Sequence, residues 1–212
     1  MERKGFIKQE SNNRNFVLKK FAQFIGIALT AALAVGLMVF LAYIDISAAG
    51  RIKDASYTEN LQETLLVFSS AIFIYLAKKK NARGLLLVAG FFVCMWIREW
   101  DAVFDEIFHG AWKYFAIPTA IGFTFWALRE GLKKVWDDLA EFMNSKSYDI
   151  IVAGLIIVLV VSRLLGNRAV WMLMSGPDFK YVFKTFIEEG VELLGYMVIF
   201  AGSVRYYLES RK

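Results

Sequence analysis

FAQFIGIALTAALAVGLMVFLAYI, residues 21–44, contains no charged side chain and is slightly longer than the roughly 20 residues that cross a 30 Å hydrocarbon core. A helix satisfies its own backbone polar groups in lipid, so an apolar run of this length reads as a membrane span. The basic region before it is long for a signal peptide, and Asp45 does not follow a small-residue cleavage motif. The run is therefore expected to be retained as a helix.

Five shorter apolar runs follow, at 61–77, 84–97, 114–128, 150–162 and 193–204. With 58% hydrophobic residues and a mean hydropathy of +0.46, the chain is more apolar than a water-facing surface tolerates. Pro118 and Pro177 are its only prolines, so little interrupts helix formation. These features predict an all-α, polytopic transmembrane helix bundle of about six spans. Residues 1–20 are expected to form a cytoplasmic N-terminal arm, polar enough to be partly disordered, and residues 21–212 a single six-span domain.

Lysine and arginine cluster in residues 1–20, 78–83, 129–146 and 205–212. Six spans put all four clusters on one side, and the positive-inside rule makes that side the cytoplasm, with both termini there. The expected location is the cytoplasmic (inner) membrane, multi-pass. The net charge of +5 is accounted for by these topology signals, which removes the argument for nucleic acid as a partner. Between the fourth and fifth runs, Leu132, Val135, Trp136, Leu139, Phe142 and Met143 recur at helical spacing, with Lys133, Lys134, Asp137 and Asp138 on the other face. This pattern predicts an interfacial amphipathic helix within 129–149 on the cytoplasmic surface. Residues 169–174 are apolar but too short to span, and Gly176, Pro177 and Asp178 give a turn signal behind them. That segment is expected to dip into the outer interface with Trp171 as an anchor. Cys94 has no intrachain partner, which excludes an internal disulfide.

Length then becomes informative. The uncharged stretches of spans 2, 3, 5 and 6 are only about 12 to 14 residues, or roughly 18 to 21 Å of helix, some 10 Å short of the core thickness. Their cytoplasmic ends are pinned by charge, so the missing length must come from the outer ends, where charged residues enter the outer leaflet. Span 3 is expected to continue as helix to His109, which sets Arg98, Asp101, Asp105 and His109 on one face. Lys184, Glu188, Glu192 and Tyr196 make a similar stripe on span 6, and Glu59 and Glu63 are one turn apart on span 2. Glu59, Glu99 and Glu106 turn off the main faces and are assigned to water. Ionisable groups at this depth must face the bundle interior, pair, or line a wet cavity.

Three readings of this cluster stand. In the first, Glu63, Asp101, Asp105, His109, Glu188 and Glu192 hold a divalent metal ion or protons, for cation binding or transport. The Glu106 to His109 step has the Glu-x-x-His spacing used in di-metal bundles, although so short a pattern recurs by chance. In the second, Arg98, Arg163 and Lys184 hold an anionic lipid headgroup while a carboxylate or His109 acts as general base, giving a metal-dependent membrane hydrolase or transferase. In the third, the chain is a non-catalytic membrane scaffold, and Arg98 and Arg163 neutralise Glu63, Asp105 and Glu192 in an ion-pair network. Membrane lipids are the expected partners in all three, with a second copy of the chain or a membrane partner subunit added for a scaffold. No His-Glu-x-x-His motif, phosphate-cradling Gly-rich loop or G-x-S-x-G elbow is present, and one histidine is too few for a multi-histidine hydrolase. Carboxylates outnumber cations in the cluster, which places cation or proton binding first.

Overall fold

The computed structural model describes residues 2–49, 56–176 and 180–211, and these are all-α, with no strand among the described residues. The helices are α1 Glu2–Ala49, α2 Tyr57–Lys79, α3 Leu85–Glu99, α4 Asp101–Asp105, α5 Lys113–Leu128, α6 Leu132–Met143, α7 Lys146–Ile156, α8 Ser162–Leu165, α9 Arg168–Ser175 and α10 Tyr181–Glu209. A π-helical turn, Ile157–Val161, joins α7 to α8. Two helices, Tyr57–Lys79 and Lys146–Leu165, are long and apolar enough to cross a membrane. The other expected spans lie within α1, α3, α5 and α10. Helices α3 and α5 run 15 and 16 residues, about 23 Å. Helix α10 is 29 residues long but carries Lys184, Glu188, Glu189 and Glu192 in its first half.

The helices pack as a row, α5 on α3, α3 on α2, α2 on α10 and α10 on α7, with α1 against α2 and α10. Glycine sets the closest approach. A Cβ on Gly154 of α7 would lie 2.9 Å from the Gly195 carbonyl of α10, and one on Gly195 would lie 2.5 Å from Val158 Cγ2. The two backbones meet where neither has a side chain, which is how lipid-embedded helices gain dispersion contact.

The end of the bundle carrying Lys79 and Glu209 is closed by rings. Phe73 of α2 meets Phe92 of α3 at 5.7 Å, Phe142 of α6 at 5.3 Å and Tyr206 of α10 at 5.7 Å between centroids. Phe142 also meets Tyr206 at 5.0 Å and Tyr148 of α7 at 5.5 Å. Helix α6 is the expected amphipathic helix, shorter than 129–149 because Ser145 caps α7, its Oγ accepting from the Tyr148 amide at 3.3 Å. Its apolar residues divide: Val135 and Phe142 are buried, whereas Leu132, Trp136 and Met143 are exposed. Asp138, assigned by periodicity to the polar face, is buried instead. It accepts from the Gly84 amide at 3.0 Å, one of the otherwise unpaired donors at the start of α3, and pairs with Lys134.

Helix α1 is one helix from Glu2 onward, shared by the N-terminal arm and the first apolar run. One expectation is corrected. Span 3 does not run to His109. Helix α3 ends at Glu99 with Trp100 outside helical geometry, and α4 is a single short helix. The chain then turns at Gly110, whose φ of +81° suits glycine, and returns along α5 with Phe104 stacked on Phe115 at 4.6 Å.

The α7–α10 approach makes a direct prediction. Gly154→Leu should lower stability by about 1–3 kcal/mol or more by prising the helices apart. Gly122→Ala on α5, where nothing lies within 4 Å, should leave stability unchanged or slightly raised. Thermal unfolding of both variants in one detergent checks the contrast.

Candidate functional site

At the end of the bundle opposite the ring cluster, polar side chains from α2, α3, α8 and α10 meet. Helix α2 is anchored there by Asp45 of α1, which is buried and accepts from the Tyr57 amide at 3.0 Å, the Thr58 amide at 3.2 Å and the Thr58 hydroxyl at 2.7 Å. Ser56 adds a conventional cap, its Oγ accepting from the Glu59 amide at 3.2 Å. The first turns of α2 are thereby fixed, and they present Gln62 and Glu63.

Helix α10 supplies the centre of the cluster. Glu192 is only 4% exposed and pairs with Arg163 of α8 at 2.7 Å. The Ser162 hydroxyl, fully buried, lies 3.1 Å from Glu192 Oε1 and 2.6 Å from the Val158 carbonyl, so its one proton is shared between two acceptors. One turn earlier, buried Lys184 pairs with Glu188 at 2.7 Å. One turn later, the Tyr196 hydroxyl donates to Glu99 of α3 at 2.7 Å, and Arg98 lies 3.4 Å from the same oxygen. Gln62 crosses from α2 and donates to the Glu189 backbone carbonyl at 3.1 Å and to Glu189 Oε2 at 3.3 Å. Glu63 lies near the Trp100 side chain and within electrostatic reach of Glu99.

Of the residues the sequence singles out, Glu63, Glu188, Glu192, Arg98, Arg163 and Lys184 take part in this cluster. Asp101, Asp105 and His109 do not. Asp101 is exposed, and the His109 side chain is 99% exposed. Asp105 closes a local turn, accepting from the Gly110 amide at 2.7 Å and contacting His109 Nδ1 at 2.8 Å. That amide and the adjacent imidazole hold its carboxyl below the usual aspartate value of 3.8, so the turn keeps its charge in mild acid. The structure thus pairs Arg98 with Glu99 rather than with Asp105. Among the described residues, no three His, Cys, Asp or Glu side chains form a metal-binding group.

Glu99, Gln62 and Ser162 are participants that sequence reasoning missed or set aside, and Glu189, off the main stripe of α10, joins through Gln62. Glu99 was assigned to water by its helical angle, but its side chain is only 12% exposed because Tyr196 reaches across to it. Ser162 and Arg163 are aimed by the π-helical turn before them, which shifts the face they present by the width of one residue; such turns recur at functional sites. A polar Gln62 at the margin of an apolar run was the available signal for the α2 contribution.

Removing one member of the central pair tests its energetics. Arg163→Met strands the Glu192 carboxylate and should cost about 3 kcal/mol, the low end for a buried pair because Arg163 is 41% exposed. Adding Glu192→Leu should recover most of that loss. Thermal stability of the wild type, the two single variants and the double variant measures the coupling.

No family model, curated protein or solved structure matches the chain, so its function is argued from this geometry.

Proposed function

We propose that the chain is a six-span protein of the cytoplasmic membrane, both termini in the cytoplasm, whose outer-leaflet carboxylate cluster binds and transports a cation, the proton first. The membrane part rests on inverted burial. Leu33, Ile121, Phe125 and Leu173 are 75%, 63%, 71% and 89% exposed, far beyond what scattered surface apolar residues explain, while Glu192 and Lys184 are buried. It rests also on the basic clusters, which the helix order puts at one end: Lys78, Lys79 and Lys80 at the end of α2, Arg129, Lys133 and Lys134 around α6, and Arg205 and Arg211 near the end of α10.

The observation that carries the cation reading is the charge balance of the cluster. Arg98, Arg163 and Lys184 each face one carboxylate, on Glu99, Glu192 and Glu188 respectively. Glu189 receives a neutral donor, Gln62, and neither Glu189 nor Glu63 has an ion pair among the described residues. Two carboxylates in excess call for a positive charge. A proton needs one carboxylate, whereas a metal ion needs several converging ligands, and no such convergence is found among the described residues. Gln62 Oε1 is buried with no donor among the described residues, and a protonated carboxyl or a hydrated cation carries the hydrogen it lacks. The lipid-headgroup reading is less well supported, because each cation it requires is already neutralised by a carboxylate. The scaffold reading explains the three pairs but not the excess.

Topology is checked with single cysteines in a Cys94→Ser background. A cysteine at Asn167 should react with an impermeant reagent only from outside the cell; reaction only from the cytoplasmic side removes the six-span arrangement.

Proton binding is checked by infrared difference spectra of the reconstituted protein between high and low pH. The wild type should show the carbonyl band of a protonated buried carboxyl, and Glu189→Gln should lose it while unfolding at the same temperature or higher. Proteoliposomes of the same two proteins should differ in dissipating an imposed pH gradient. An unchanged band in Glu189→Gln, or calorimetric heat with a divalent metal that Glu189→Gln abolishes, overturns the proton assignment.

A further inference from the structure

Between α2 and α10, on the half of the bundle away from the polar cluster, lies an open apolar groove of about 480 Å³ lined by Phe68, Ala71, Ile72, Tyr75, Val204 and Tyr207. Helix α1 meets the α2–α10 seam near its other end, where Asp45 caps α2 and Met38 Sδ lies 2.7 Å from where a Cβ on Gly190 would be. Farther back, Phe21, Ile25, Leu29 and Leu33 are exposed, and no described α1 side chain lines the groove. Phe68 and Tyr75 on its wall are 56% and 47% exposed.

The mouth of this groove is basic and aromatic. Tyr75 and Tyr207 meet at 5.8 Å between ring centroids. Lys79 Nζ lies 5.7 Å from the centre of the Tyr75 ring, and the Arg211 guanidinium 4.5 Å from the centre of the Tyr207 ring. Lys78, Lys79 and Arg211 are exposed and have no carboxylate at ion-pair distance among the described residues, whereas nearby Arg205 is neutralised by Glu209 at 2.9 Å. From Phe68 to Lys79 is about 16 Å of helix, the depth of one leaflet of a roughly 30 Å core. An apolar channel one leaflet deep, opening onto uncompensated cations at the level of the headgroups, is complementary to a single molecule with an acyl chain and a negative head.

We propose that this groove binds an anionic glycerophospholipid of the cytoplasmic leaflet, its acyl chain along Ala71, Ile72 and Val204 and its phosphate between Lys79 and Arg211. Tyr75 and Tyr207 sit at the boundary, where an amphipathic ring covers the chain and keeps its hydroxyl at the polar edge, that of Tyr207 accepting from Arg211 Nη2. The inference rests on the membrane reading alone and is independent of the cation site.

The test uses the full chain reconstituted in vesicles containing equal phosphatidylglycerol and phosphatidylcholine, with retained lipid identified by native mass spectrometry. The wild type should keep one phosphatidylglycerol in preference to phosphatidylcholine. Lys79→Gln and Arg211→Gln should each reduce that preference about fivefold. Ala71→Trp, which fills the groove from its lipid-facing side and leaves the charges in place, should lower retention of both lipids. Ala71→Leu repeats the measurement should the tryptophan impair folding. Equal retention of the two lipids by the wild type overturns the proposal, as does a preference that survives both charge changes. It is overturned equally if cysteines at Ala71 of two copies form a disulfide in the membrane, which makes a second copy the occupant, or if cysteines at Leu29 and Ala71 of one copy do, which makes α1 the occupant. Flotation with vesicles after alkaline washing tests insertion separately, so loss of the membrane reading is distinguishable from loss of the lipid site.

Discussion

The polar half of the bundle depends on the burial of Glu192 against Arg163. A carboxylate only 4% exposed on a central helix demands a cation, and the cation arrives from a helix whose backbone had to be re-wound to deliver it. The π-helical turn costs regular hydrogen bonding and packing, and the pair it enables draws in Ser162 from the same side. Everything else at that level is arranged around α10: Tyr196 reaches α3, Gln62 reaches in from α2, and Lys184 closes on Glu188 within the helix itself. A buried pair of this kind is weak evidence for stability and better evidence for a specified arrangement, because the two elements can meet in only one register.

The two ends of the bundle are held by different physics. At the polar end, hydrogen bonds and the Arg163–Glu192 pair connect helices through groups that would be costly unpaired. At the other end, Phe73, Phe92, Phe142, Tyr148 and Tyr206 connect α2, α3, α6, α7 and α10 through edge and face contacts between rings. Between them, Gly154 and Gly195 let α7 lie on α10 without either chemistry. Helix α10 carries all three in sequence along its length, which is why 29 residues of a single helix organise the chain.

Much of this is legible in the amino-acid sequence, for reasons that differ by element. Helix α6 is readable because six apolar residues repeat at helical spacing against a charged face. The segment 169–174, apolar, too short to span and followed by a turn signal, is marked as distinct from the spans, though not as the helix α9 that it forms. The length deficit of the apolar runs points to a polar level at one end of the helices without any contact information, and Arg98, Arg163, Lys184, Glu188 and Glu192 do lie together at one end of the bundle. What the sequence does not reveal is decided by geometry. Periodicity assumes a regular helix, so it carried Asp101, Asp105 and His109 along the face of Arg98, whereas α3 ends at Glu99 and the Asp105 turn faces solvent. The same assumption put Glu99 in water and hid the role of Ser162, because neither the Tyr196 crossing nor the π-helical turn has a compositional signature.

The remaining question is why evolution would place carboxylates at Glu63 and Glu189 if the cluster were architecture alone. The donor that Glu189 meets, the Gln62 amide, is neutral, Glu63 has no ion pair among the described residues, and a glutamine in either place accepts hydrogen bonds without the desolvation cost of a charge. The Arg163–Glu192 pair and the Tyr196–Glu99 hydrogen bond beside them already tie α8 and α3 to α10. A charged acceptor where a neutral one suffices is therefore surplus to the fold, and the property that distinguishes glutamate from glutamine at such a position is its capacity to gain and lose a proton or to hold a cation. That surplus, more than the number of acidic residues, separates the cation-binding reading from a purely structural one.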